Sequence, residues 1–118
     1  METNEILDTS IAPDCKEGII TIFTLIEHPL CGEEFFEILF PETKDYVIAV
    51  EIARKLRKKG TPVGAIGMLI AAMAVNRSLA VRTSDGDFKH IQAVMPELMP
   101  KDINNYTKVM SFVYSNCQ

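Results

Sequence analysis

Short apolar runs alternate along the chain with longer stretches in which apolar residues recur every three or four positions. Ile6-Leu7 ends in the polar Asp8-Thr9-Ser10, Gly18–Phe23 is a β-branched run opened by glycine, and Leu79-Ala80-Val81 ends in Arg82-Thr83-Ser84-Asp85. Apolar on both faces and short, these three read as strands of a covered parallel sheet. Helices fill the intervals. Gly32–Phe40 is a helix candidate stopped by Pro41. In the next segment Tyr46, Ala49, Val50, Ala53 and Leu56 fall on one helical stripe, with Thr43 placed to cap its start. Arg57, Lys58 and Lys59 suit the negative end of that helix, and Gly60 and Pro62 supply the stop. Val63–Val75 is apolar nearly all round and predicts a helix packed into the core. Asp87 can cap a short helix over Phe88–Val94, and Ile103–Tyr114 predicts a C-terminal amphipathic helix.

This order predicts an α/β fold, a three-layer sandwich with a mainly parallel sheet flanked by helices, in one domain over residues 1–118. One joint is tight: nine residues, Ser10–Gly18, separate the first two strands, against the ~10–12 usual for a parallel crossover. Composition supports a core, since 47% of the residues are apolar. The N-terminus METNEILD has no basic region followed by an apolar one, and the apolar run near Met68–Val75 is short of the ~20 residues that span a bilayer. A cytoplasmic protein without membrane contact is expected. Cys15, Cys31 and Cys117 stand at unrelated spacings, which signal neither a disulfide framework nor a zinc ribbon. His28 and Cys31 lie three residues apart and could hold zinc with Cys15, but buried, reduced thiols are the simpler reading.

Chemistry gathers after the strands. Asp8 follows the first, Glu27 lies four residues beyond the second, and Asp85 and Asp87 follow the third. Ligands of open α/β sheets bind outside the carboxyl ends of the strands, so Asp8, Glu27 and Asp85 are placed to meet in one crevice. Clustered carboxylates repel one another without a cation, which points to Mg²⁺ or Mn²⁺. Each acid also has a structural explanation: an Asx-turn at Asp8, a helix cap at Asp87, and a place in the first turn of a helix, where acids are favoured, at Glu27.

Four segments in order resemble PIN domains, the family that includes VapC-type ribonuclease toxins. They are Ile6-Leu7-Asp8-Thr9-Ser10, Thr24-Leu25-Ile26-Glu27, the stretch from Gly60 to Ala74, and Val81-Arg82-Thr83-Ser84-Asp85-Gly86-Asp87-Phe88. The resemblance implies metal-dependent RNA cleavage with Asp8, Glu27 and Asp85 as catalytic metal ligands and Asp87 as an auxiliary one. Thr9, Ser10, Thr83 and Ser84 are the accompanying polar residues. It also implies dimerisation and silencing by a cognate antitoxin.

Two departures qualify that expectation. The family's usual aspartate in the central helix is replaced by Gly67, and no acid lies between Glu51 and Asp85 to substitute for it. The joint between Asp8 and Glu27 lacks room for helices that many of these toxins carry. Although the net charge is −4, five of the twelve basic residues sit in Arg54–Lys59. Arg54, Lys55, Arg57, Lys58 and Lys59, with Arg82, are candidate RNA-backbone contacts; a solvated helix end is the simpler reading of the run. Three functions stay open: a metal-dependent ribonuclease weakened at Gly67, a degenerate PIN-like module that binds RNA or protein, and a phosphate-handling enzyme with Asp8 as nucleophile.

Overall fold

The computed structural model describes residues 4–31 and 35–102. Five strands, β1 (Glu5–Leu7), β2 (Gly18–Thr21), β3 (Phe36–Leu39), β4 (Ala80–Thr83) and β5 (Met99–Asp102), form one sheet in the order β3-β2-β1-β4-β5. Every neighbouring pair is parallel, with Ile6 opposite Val81 on one side and Ile19 on the other. The helices are α1 (Ile22–Glu27), α2 (Thr43–Lys59), α3 (Ala65–Arg77) and α4 (Asp87–Val94). This is an α/β fold with a parallel sheet flanked by helices.

The joint between β1 and β2 closes without an α-helix. A single 3₁₀ turn, Ala12–Asp14, follows two backbone bonds in which the Ile11 and Ala12 N–H groups donate to the Asp8 carbonyl at 2.9 Å. Gly18 is required where β2 begins. Its φ of 145° lies outside the range favoured by L-residues, and a Cβ there would stand 2.7 Å from Leu7 Cδ1.

Two apolar clusters hold the sheet. The larger joins Ile6, Ile19 and Val81 to residues of α2, α3 and α4, including Ile52, Leu56, Ile70, Met73, Phe88 and Ile91. The smaller comprises Leu7, Ile11, Ala12, Cys15, Ile20 and Phe36. Within α1, Phe23 packs against the first cluster and Leu25 against the second.

Several elements differ from the sequence pattern. The stretch expected as a helix, Gly32–Phe40, contains β3; Ile38 packs on one cluster and Leu39 on the other, the two-residue alternation of a strand. β2 stops at Thr21 rather than at Phe23, because the Thr21 hydroxyl accepts from the Thr24 N–H and starts α1. Glu27 is therefore the last residue of α1 and not part of its first turn. The core stripe of α2 is rotated: Asp45, Ile52 and Leu56 are buried, whereas Tyr46 and Val50 are exposed. Glu42, not Thr43, precedes the first turn of α2, its N–H donating to Asp45. Likewise Gly86 precedes α4, and the Asp87 N–H donates to Asp85. α3 starts at Ala65 and runs to Arg77, two residues later at each end than the pattern suggested. β5 carries no strand signature in its Met-Pro-Lys-Asp sequence, and the helix expected over Ile103–Tyr114 lies outside the described residues. Cys15 is disulfide-bonded, a correction to the expected thiol that spacing could not supply, since pairing depends on proximity in space; Cys31 is free.

Candidate active site

Asp8 emerges from the central strand into a brace of hydroxyls. The residue is 6% exposed, and Oδ2 accepts from Thr83 Oγ1 at 2.8 Å and from Ser10 Oγ at 2.9 Å. Each hydroxyl also accepts from the loop after β4: the Asp85 N–H donates to Thr83 Oγ1 at 2.9 Å, and the Ser84 N–H donates to Ser10 Oγ at 3.1 Å. One pair of small polar side chains thereby fixes the Asp8 rotamer and the backbone that carries Asp85. Oδ1 of Asp8 enters none of the hydrogen bonds among the described residues. A second brace sets Glu27, whose Oε1 accepts from Thr9 Oγ1 at 2.9 Å while Thr9 and Thr24 share a 3.0 Å hydroxyl contact.

Asp8, Glu27 and Asp85 line one cavity of about 380 Å³ together with Thr9, Ser10, His28, Ile66, Gly67 and Phe88. It opens beyond the carboxyl ends of β1 and β4, the position that parallel sheets reserve for ligands. Asp87 is not part of the lining; it begins α4, and its N–H donates to Asp85 Oδ1 at 2.9 Å. Gly67 faces open space, since a Cβ added there meets nothing within 4 Å.

The donor chemistry suits a hard divalent cation: three carboxylates around one cavity, with hydroxyl-bearing neighbours. Among the described residues no three His, Cys, Asp or Glu side chains are grouped tightly enough to hold an ion by themselves. An ion bound here would be held directly by fewer than three of Asp8, Asp85 and Glu27 and would take the rest of its shell from water and substrate oxygen, as Mg²⁺ commonly does.

The basic residues divide. Arg54, Lys55, Arg57, Lys58 and Lys59 are exposed on α2, Lys55 pairing with Glu51 at 3.0 Å. The N-terminus of α2 touches the C-terminus of α3 through Asp45, Asn76 and Arg77, so the two helices run antiparallel. The basic end of α2 therefore adjoins the start of α3, where Ile66 and Gly67 meet the cavity. Arg82 does not belong to this set. It is fully buried in β4 with Nε 2.7 Å from Glu5 Oε2, and is withdrawn from any RNA backbone. Thr24, Ile66 and Phe88 were not singled out from the sequence as site residues, and His28 was weighed only as a zinc ligand beside Cys31 and Cys15. A histidine directly after the Glu27 acid was the one visible signal.

The class this geometry defines is a parallel α/β domain with an acid-lined cavity at its strand ends. No protein-family model matches the sequence, and no curated protein matches it. Solved structures share its backbone. A chain of the DNA-bound VapBC complex from Salmonella typhimurium superposes with a TM-score of 0.66 at 23% identity, covering 86% of this chain and 98% of that one. A chain of VapBC2 from Rickettsia felis, bound to a promoter DNA fragment, gives 0.67 at 19% identity over 83% and 97%. A chain of VapBC-1 from nontypeable Haemophilus influenzae gives 0.65 at 18% identity over 83% and 96%. The fold is accordingly PIN-like.

Proposed function

We propose that the protein is a PIN-type, metal-dependent endoribonuclease with a site weakened at Gly67. The observation that carries this reading is the enclosure of one cavity by Asp8, Glu27 and Asp85 at the strand ends of a PIN-like fold. Mg²⁺ or Mn²⁺ in that cavity would lower the pKa of a bound water and offset charge on a phosphodiester. The chain's own part is positional: Thr83 and Ser10 hold Asp8, Thr9 holds Glu27, and Asp85 is presented by the loop those hydroxyls fix. The exposed basic end of α2 would hold the RNA backbone without reading its sequence.

The test is cleavage of single-stranded RNA by the full-length protein in Mg²⁺ or Mn²⁺. Asp8→Asn should abolish it, whereas equal cleavage by both proteins would assign the activity to a contaminant. A second reading is favoured by Gly67 and by the lack of a self-sufficient ligand group among the described residues. On that reading the chain is a degenerate PIN-like module that binds RNA or protein without cleaving, and wild type would bind RNA yet release no fragments. The similarity to chains of VapBC complexes supports an antitoxin-like protein partner, and homodimerisation and a cytoplasmic location belong to the same proposal. No described helix is long and apolar enough to cross a membrane.

A further inference from the structure

We propose that the cavity seats one nucleotide of single-stranded RNA, with its base against the His28 imidazole and its sugar in the space beside Gly67; this rests on the RNA substrate proposed above. The cavity lining combines two chemistries. Asp8, Glu27 and Asp85 are acidic, which suits a cation and the phosphate it attracts. Ile66, Gly67, Phe88 and His28 add apolar surface, open space at Gly67 and two aromatic rings, of which Phe88 is buried and His28 exposed. A nucleotide divides in the same way, into a charged phosphate and a flat, largely apolar base. Bases of unpaired RNA are held by stacking on aromatic side chains, histidine included.

His28 is well placed for this. It caps the C-terminus of α1 at φ −132°, ψ 73°, and the following Pro29 disfavours a helical backbone there, so the residue sits at the cavity wall rather than being carried on along the helix. Its imidazole donates to and accepts from nothing among the described residues, although hydroxyls and carboxylates line the same cavity. The ring is exposed, which leaves its aromatic face available. Opposite in character, Gly67 contributes no side chain at all and leaves open space beside it, which a large side chain would occupy.

The test uses full-length protein in an Asp8→Asn background, which separates binding from cleavage, with a short fluorescein-labelled single-stranded RNA read by anisotropy. His28→Ala should weaken binding about tenfold, within the range for loss of one base–aromatic stack. His28→Phe keeps a ring and should bind like the parent. Gly67→Leu fills the vacant volume and should weaken binding by a similar factor. Parental affinity in both His28→Ala and Gly67→Leu overturns the proposal, as does a parent that binds no RNA. If wild type cleaves nothing while binding still depends on His28, the nuclease reading fails alone. If cleavage proceeds while binding ignores both substitutions, this inference fails alone.

Discussion

At the scale of single residues, the site is organised by hydroxyls more than by charges. Thr83 Oγ1 donates to Asp8 and accepts from the Asp85 N–H, so one side chain on β4 sets two acids. The vacant position is Gly67, in the third residue of α3 and on the cavity wall. An aspartate there meets no atom at its Cβ and improves on glycine's helix propensity by a few tenths of a kcal/mol. It also adds a fourth carboxylate to the cavity lining, which raises repulsion in the absence of a cation. Gly67→Asp should therefore bind Mn²⁺ about tenfold more tightly by calorimetry, a gain of ~1.4 kcal/mol. The gain should vanish in the Gly67→Asp, Asp8→Asn double variant. Unchanged affinity in Gly67→Asp would mean that position 67 does not face the ion.

At the scale of elements, the junction of α2 with α3 rests on Asp45. Its carboxylate is fully buried and accepts from Arg77 at 2.9 and 3.0 Å, from Asn76 at 2.9 Å and from the Glu42 N–H at 2.6 Å. Burial alone would raise the Asp45 pKa; the bonds from Arg77, Glu42 and Asn76 together outweigh it and hold the group below its ordinary value. A folded pKa below the unfolded one contributes stability above the unfolded value of ~3.9, and that stability is lost as pH falls through the folded pKa. Arg77→Met removes the main counter-charge and leaves burial to dominate, reversing the sign. It should cost about 3 kcal/mol at pH 7, measured by urea unfolding. The deficit should narrow as the pH is lowered toward 3, because the orphaned carboxyl then protonates; a deficit constant with pH would place the loss in packing instead. The same contact explains where the sequence was legible and where it was not. The three apolar runs that open on Ile6, Gly18 and Leu79 mark β1, β2 and β4 because a strand covered on both faces must be apolar throughout. The stripe of α2 misleads by one residue because a buried aspartate takes the place of an apolar knob, and periodicity assigns acids to solvent. β3 is four residues paired in full to β2, and its local sequence suits helix or strand equally until that neighbour is known. Of the site, Asp8, Glu27 and Asp85 were legible as acids after strands, whereas His28 was not, since its place on the cavity wall depends on where α1 ends.

At the scale of the whole molecule, a net charge of −4 coexists with an exposed basic helix end, and the two have opposite consequences for RNA. The total charge repels a polyanion at long range, but beyond a Debye length of ~10 Å at 0.1 M salt that repulsion is screened. Short-range contact is then decided by what lies beside the cavity, and the antiparallel pairing of α2 with α3 brings Arg57, Lys58 and Lys59 to that end of the fold. Because the three side chains are exposed, replacing them with glutamine leaves the core untouched. Each phosphate contact to a single strand contributes about −0.7 to the slope of log affinity against log salt. The triple glutamine variant should therefore flatten that slope by about 2 if all three residues touch phosphates, measured by RNA anisotropy titrations across a series of salt concentrations. Replacing Arg82 cannot test the same idea, since that residue is buried against Glu5 and its loss would act through the sheet. An unchanged slope would make the basic end of α2 a solvated terminus that serves only the helix dipole, and would leave the cavity as the sole RNA contact.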